Sequence, residues 1–220
     1  TYISNNTGVT ITAVSTAGSQ ANIEMVDAGE YDLGFVQSDV MSYAYGGTNL
    51  FTEAVTGFTT LAALYMEQVQ IVTLDPSIET VADLEGKTVS IGARGSGVYF
   101  NAIDVLGAYG LTESDIDPIF QNFDDSVESL QDGRIDAAFI VAGAPTTSIT
   151  QLATTQDVYL VSLDQEHIDA LIETSPYYSA YTISADTYGT ANDCTTVAIS
   201  AVLIGRADVD PDVAYSIVYT

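Results

Sequence analysis

A helix-to-strand joint occurs twice in this chain and restricts the folds open to it. The first copy reads Met25-Val26-Asp27-Ala28-Gly29-Glu30-Tyr31-Asp32-Leu33-Gly34-Phe35-Val36, and the second Ser129-Leu130-Gln131-Asp132-Gly133-Arg134-Ile135-Asp136-Ala137-Ala138-Phe139-Ile140. In both, Asp follows the Gly by three residues and Phe follows the Asp by three. A glycine just past a helix end takes the left-handed conformation without a Cβ penalty. The small and apolar residues after it suit strands covered on both faces. Downstream the copies diverge, into Gln37-Ser38-Asp39 and into Ala142-Gly143-Ala144-Pro145. Ligands of open α/β sheets sit beyond the carboxyl ends of strands. The repeat therefore predicts two related α/β lobes, each offering a strand end to a shared cleft. Asp32 and Asp136 begin their strands, at the end away from that cleft, and read as structural.

Strand and helix signals alternate along the rest of the chain, which argues α/β with largely parallel sheets. Residues 9–14 alternate as a strand and lead into the turn Ser15-Thr16-Ala17-Gly18-Ser19, where Ser19 can cap the next helix. Ser38 or Asp39 caps the helix after residues 32–36. Residues 60–65 and 70–74 read as two strands separated by Met66-Glu67-Gln68. A strand at 88–91 runs into Gly92-Ala93-Arg94-Gly95-Ser96-Gly97 and then a strong amphipathic helix over 98–109. Thr112 with Asp115 resembles a capping box. A strand follows at 119–122, then a helix capped by Asp124 or Asp125. Further strands are expected at 158–163 and 195–204, and Asp210-Pro211 opens a last helix. Two strand–helix series with two connections place one lobe at 1–68 plus 182–220 and the other at 69–181.

Charge excludes several partners. Thirty Asp and Glu face four basic residues, Lys87, Arg94, Arg134 and Arg206, for a net charge of −26. Phosphate binding needs a basic footprint, so nucleic acid is excluded, and anionic lipid is disfavoured. Spread over the whole chain, the acids read as adaptation to high salt, where the Debye length falls to roughly 3 Å and like charges stop repelling. The single cysteine, Cys194, rules out an internal disulfide and a Cys-based metal cluster. The single histidine, His167, lies on a polar helix face and reads as a surface residue. No run reaches the ~18 apolar residues that span a bilayer. No activated nucleophile, metal-ligand spacing or paired acid–base carboxylates stand out, so neither a catalytic residue nor a cofactor is expected.

The turn at 92–97 is the strongest local site. It links a strand to a helix, an arrangement that presents free backbone N–H groups to an anion. It lacks the ending of a nucleotide P-loop and the spacing of a dinucleotide fingerprint. Ser96, Gly97 and Val98 amides could bind an anion, or the turn could be purely structural. Arg94 could hold a carboxylate through both guanidinium arms or neutralise nearby acids at the surface. Gln37, Ser38 and Asp39 could hold a ligand ammonium or amide, or cap a helix. Tyr65 could wall a pocket, whereas Tyr177, Tyr178 and Tyr181 read as packing residues.

Ser15-Thr16-Ala17-Gly18-Ser19-Gln20-Ala21-Asn22, Leu33-Gly34-Phe35-Val36-Gln37-Ser38-Asp39, Leu61-Ala62-Ala63-Leu64-Tyr65, Asp83-Leu84-Glu85-Gly86-Lys87-Thr88-Val89-Ser90-Ile91-Gly92 and Ala142-Gly143-Ala144-Pro145-Thr146 closely resemble, in order, the TAXI family. These are extracytoplasmic solute receptors of tripartite ATP-independent periplasmic (TRAP) transporters. The resemblance implies a type II periplasmic-binding-protein fold, with two α/β lobes around a central cleft. It implies a non-enzymatic, monomeric receptor that takes a glutamate- or glutamine-like amino acid or a dicarboxylate to a TRAP permease. The implied location is periplasmic or extracytoplasmic, with anchoring through a segment outside this sequence as an option. By position the ligand residues are Thr16, Gly18, Ser19, Gln37, Ser38, Asp39, Tyr65, Arg94, Ser96, Gly97, Val98, Gly143, Ala144 and Pro145. Such receptors begin with a strand and a Gly-rich loop, so Thr1-Tyr2-Ile3 resembles the tail of their first helix, and their closing helices extend past the equivalent of Thr220. Arg94 stands where many relatives have a small residue, which implies a more anionic ligand. A ligand-sensing input domain of a signalling protein is the alternative use of the same fold.

Overall fold

Two glycines stop helices in the left-handed conformation that the repeat requires. Gly29 has φ +74° and Gly133 φ +65°. After the helix Ser19–Asp27, the Gly29 N–H donates to Val26 O (3.1 Å) and the Glu30 N–H to Met25 O (2.9 Å). After the helix Phe123–Gln131, Gly133 donates to Leu130 O (3.1 Å) and Arg134 to Ser129 O (2.9 Å). Both ends are the same Schellman motif, which satisfies the last helical carbonyls. The equivalent aspartates then tie each joint to a neighbouring strand. Arg206 N donates to Asp32 O (3.0 Å) and its guanidinium lies 3.6 Å from the Asp32 carboxylate. The Asp136 carboxylate accepts from Thr88 N (2.8 Å).

A computed structural model describes residues 2–220. In chain order the elements are α1 (Tyr2–Thr7), α2 (Ser19–Asp27), β1 (Leu33–Gln37), α3 (Ser38–Gly46), β2 (Phe58–Thr73), β3 (Thr88–Ser90), α4 (Gly97–Ala108), β4 (Asp117–Ile119), α5 (Phe123–Gln131), β5 (Ala137–Ala142), α6 (Thr147–Ala153), β6 (Tyr159–Leu160), α7 (Gln165–Thr174), β7 (Ser179–Ile183), β8 (Cys194–Arg206) and α8 (Pro211–Tyr219). The chain forms two units, the first up to Tyr65 together with residues 201–220, the second over 66–200. It passes from one to the other within β2 and returns within β8.

In the first unit β1 pairs antiparallel with β8, Gly34 opposite Ile204 and Val36 opposite Val202. Helices α2 and α3 bring Ile23, Val26, Val40 and Ala44 into the core with Val36. Gly34 allows α2 to approach, since a Cβ there would lie 3.2 Å from Asn22 Cβ. The opposite side of β1 is open: Phe35 is 63% exposed. The first copy of the joint thus leads into a strand covered on one face, not on both.

In the second unit β5 pairs antiparallel with β2 and parallel with β3, which pairs parallel with β4. The strand β5 is apolar throughout because both faces are covered. Phe139 and Val141 share a buried cluster with Val98, Val105 and Leu106 of α4 and Ile168 and Leu171 of α7. Ala138 and Ile140 point the other way, to Val127 and Leu130 of α5 and Ile149 and Leu152 of α6. Strand β6 pairs with β2, and β7 with the first half of β8.

Several local expectations need correction. Residues 9–14 form no strand; Ile11 N instead donates to Ser4 Oγ (3.0 Å) and Val9 N to Thr7 Oγ1 (3.0 Å). The strands expected at 60–65 and 70–74 are one, β2, because Met66-Glu67-Gln68 contains no Gly or Pro to break it. The N-cap of α2 is Gly18, not Ser19, and that of α3 is Gln37, not Ser38 or Asp39. Helix α5 is capped by Asn122, whose Oδ1 accepts from Asp125 N (2.9 Å), rather than by Asp124 or Asp125. The strand expected at 119–122 lies earlier in the chain, as β4, and the one expected at 158–163 shrinks to β6. Thr112 and Asp115 do form a capping box, on a three-residue 3₁₀ turn.

Candidate functional site

In the second unit β5, β3 and β4 run parallel, so their carboxyl ends lie along one edge, and a loop leaves each. The loop after β3 turns at Gly92 (φ +83°) and enters α4. Ser96 caps α4, its Oγ accepting from Tyr99 N (3.3 Å), and Ser96, Gly97 and Val98 are buried. The Arg94 guanidinium lies over the Phe120 ring, which follows β4, 3.6 Å from its centroid. Such stacking holds the charge at an aromatic face while leaving the planar N–H fork free to meet a carboxylate. Tyr99 packs edge-on against the same ring (5.6 Å between centroids) and donates to Glu113 Oε2 (2.6 Å). Burial, with the Glu113 carboxylate beside it, pushes the Tyr99 phenol up to about 12.

The loop after β5 holds Gly143, Ala144 and Pro145, joined by a cis Ala144–Pro145 peptide. Buried side chains fix it from below. Ala144 N donates to Gln68 Oε1 (2.7 Å), and Thr146 N to the Tyr188 hydroxyl (2.7 Å). The Tyr188 hydroxyl donates to Gln70 Oε1, and Gln70 Nε2 to Ala142 O (3.2 Å) and Thr146 Oγ1 (3.0 Å). Thr146 Oγ1 closes the set by donating to Gly143 O (3.1 Å). Burial raises the Tyr188 phenol above its ordinary value. The sequence reading passed over Gln68, Gln70, Tyr188 and Phe120. A cue for the first two was present: two glutamines at alternate positions, interleaved with the apolar Val69, Ile71 and Val72.

In the first unit the turn at 16–19 and the end of β1 are joined. Thr16 Oγ1 donates to Asn22 Oδ1 (2.7 Å), Asn22 Nδ2 to Phe35 O (2.7 Å), and Gln37 N to Ser19 Oγ (3.1 Å). Gly18 adopts φ +126°, a conformation open to glycine. Thr16, Gly18, Ser19 and Gln37 are therefore neighbours. Ser38 is half-buried at the start of α3, and Asp39 is fully buried in its first turn, where the helix dipole favours a carboxylate. Tyr65, at the end of this unit on β2, is 58% exposed.

Two other groups read from the sequence lie away from these loops. Tyr178 is buried and bonded to Asn101 and Asp104, whereas Tyr177 and Tyr181 are exposed. His167 is no free surface residue: its ring stacks on Tyr109 (3.7 Å) and its Nδ1 lies 2.7 Å from Asp164 Oδ2. The His167 bond holds the Asp164 carboxyl down at about 2. Among the described residues no group of His, Cys, Asp and Glu could hold a metal ion, and no helix is long and apolar enough to cross a membrane.

The architecture matches solved binding proteins. The periplasmic aliphatic sulphonate binding protein SsuA of Escherichia coli is 16% identical with a TM-score of 0.52, over 88% of this chain and 53% of SsuA. The chain thus spans about half the length of that protein. An arginine-bound Gly52Ala variant of ArgBP from T. maritima is 15% identical with a TM-score of 0.59, over 99% of this chain and 78% of ArgBP. The GluR0 ligand-binding core in complex with L-glutamate is 12% identical with a TM-score of 0.57, over 99% and 78%. The fold is that of type II periplasmic binding proteins. The model of the NMT1-like family matches residues 1–220, and the chain belongs to that family.

Proposed function

We propose that this NMT1-like protein is the ligand-binding part of an extracytoplasmic solute receptor for a small organic anion, a glutamate- or glutamine-like amino acid or a dicarboxylate. The observation that carries this reading is the convergence of three loops at the carboxyl edge of β5, β3 and β4. One of them holds the start of α4, and Arg94, one of four basic residues in the chain, stands between two of them on Phe120. Backbone N–H groups at a helix start, with a guanidinium beside them, suit a carboxylate. The proposed ligand residues of the second unit are Arg94, Ser96, Gly97, Val98, Gly143, Ala144 and Pro145. Those of the first unit are Thr16, Gly18, Ser19, Gln37, Ser38, Asp39 and Tyr65.

Membership of the TAXI group, and hence delivery to a TRAP permease, belongs to this proposal and rests on the sequence motifs. The solved relatives supply two further ligand chemistries, sulfonate and arginine, as competitors. In this reading the protein selects rather than converts its ligand, which the match to the folds of solved binding proteins supports. A second reading, a ligand-sensing input domain of a signalling protein, uses the same fold and the same ligand residues.

The test is a thermal-shift panel at molar salt with L-glutamate, L-glutamine, succinate, L-arginine and methanesulfonate, followed by calorimetry on each hit. Saturable stabilisation by a carboxylate, weakened by Arg94→Ala, supports the reading. A folded protein that none of the carboxylates stabilises refutes it. Ligand-dependent docking on reconstituted TRAP membrane subunits separates a transport receptor from a sensor, which binds ligand without docking.

A further inference from the structure

Gln68, Gln70 and Tyr188 are polar yet buried, at 4%, 0% and 9% exposure. Polar side chains in a core cost stability unless every group is paired. Here they are paired in a directed ring. Thr146 N donates to Tyr188, Tyr188 to Gln70 Oε1, Gln70 Nε2 to Thr146 Oγ1, and Thr146 Oγ1 back to Gly143 O. The amide orientations are fixed by carbonyls that can only accept: Gln70 Nε2 faces Ala142 O and Gln68 Nε2 faces Met66 O. Gln68 Oε1 is then left to hold Ala144 N at 2.7 Å.

Together the three side chains hold residues 142, 144 and 146 at the end of β5 and in the turn after it, and Thr146 Oγ1 braces Gly143 O within that turn. Three of the four bonds that reach the turn from outside it come from β2, two and four residues after Met66, where the chain has just entered this unit. Apolar side chains in these places would avoid the desolvation cost but would lack any hold on the Ala144 and Thr146 amides.

We propose that Gln68, Gln70 and Tyr188 are positioning residues for the ligand, fixing the turn at 143–146 in its binding shape and tying that shape to the strand by which the chain enters the second unit. The inference rests on the proposed role of Gly143, Ala144 and Pro145 in ligand binding. Preorganisation of this kind raises affinity by removing the ordering cost from the binding step.

Two variants release the turn at two separate amides. Tyr188→Phe frees the Thr146 N–H, and Gln68→Met frees that of Ala144 while keeping an unbranched side chain in place. Amide exchange of the ligand-free protein, read by NMR, is expected to rise roughly tenfold at Thr146 in the first and at Ala144 in the second. Amides of α7 serve as the internal control. Calorimetry with L-glutamate is expected to show affinity roughly tenfold weaker in both.

Unchanged exchange at both amides overturns the ring as a positioning device, whatever the ligand. Faster exchange with unaltered L-glutamate affinity overturns its service to the ligand, and leaves the receptor reading standing. If the unaltered protein binds none of the panel compounds, the receptor reading fails and takes the ligand half of this inference with it. The exchange arm still decides the mechanical half. Should one variant fail to fold, the other carries the same two measurements.

Discussion

Gly92→Ala should be among the most damaging single-methyl changes in the second unit. Gly92 is buried where β3 leaves the sheet and has φ +83°. A Cβ built there lies 2.6 Å from Val98 Cβ, 2.9 Å from Val98 Cγ1 and 2.9 Å from Ser96 Oγ. Neither neighbour can yield cheaply, because Ser96 caps α4 and Val98 packs in the core cluster of that helix. Left-handed backbone costs a non-glycine residue about 1–2 kcal/mol, and overpacking adds about 1–3 kcal/mol. The sum is about 2–5 kcal/mol by the same two effects. Gly86→Ala isolates the first of them: Gly86 has φ +71° in the same unit, with nothing within 4 Å of its built Cβ. Urea unfolding followed by circular dichroism at molar KCl measures both variants. With m near 1–3 kcal/mol/M, a further loss of about 2 kcal/mol from overpacking moves the midpoint by roughly 0.7–2 M. If Gly92→Ala loses no more stability than Gly86→Ala, the close approach of the loop to α4 is wrong. The placement of Ser96, Gly97 and Val98 as ligand residues would then lose its geometric basis.

Gly107 gives the opposite sign: it lies in the last turn of α4, exposed, with nothing within 4 Å of a built Cβ. Gly107→Ala is expected to stabilise by about 0.5–1 kcal/mol in the same assay, through helix propensity and a less free unfolded chain. Asp164→Asn keeps an N-cap side chain for α7 but removes a carboxyl held at about 2 by His167. Its contribution is full above the unfolded value near 3.8 and is lost as pH falls through about 2. The stability gap between wild type and Asp164→Asn should therefore be widest above pH 4 and close on approach to pH 2, in urea titrations at stepped pH. A constant gap would refute the pairing. Salt should stabilise the protein: thirty acids against four bases repel one another, and this repulsion outweighs exposed ion pairs such as Arg134–Asp132 (3.0 Å), which salt weakens. A melting temperature no higher in molar KCl than at about 0.1 M would refute the high-salt reading.

What was legible in the sequence was local. The Schellman ends at Gly29 and Gly133, the Thr112–Asp115 capping box and the turn from β3 into α4 each involve residues within a few positions of one another. What failed turned on what a segment packs or bonds against. Residues 9–14 alternate like a strand, yet β propensity expresses how a segment packs against neighbours, and here short side-chain bonds from Ser4 and Thr7 replace a ladder. Phe35 and Phe139 occupy equal places in the repeat, but helices cover both faces of β5 and one face of β1. The same division runs through the candidate site. Arg94, Ser96 and Gly97 stand out because glycine spacing and scarce positive charge are visible in a line of letters. The ring beneath Ala144 joins Gln70 to Tyr188 across 118 residues, and no local pattern links them. If the ring does hold the turn, the divergent segments after the repeated joint are only the visible part of the site. Their shape is set by glutamines that look, in the sequence, like the ragged start of a strand.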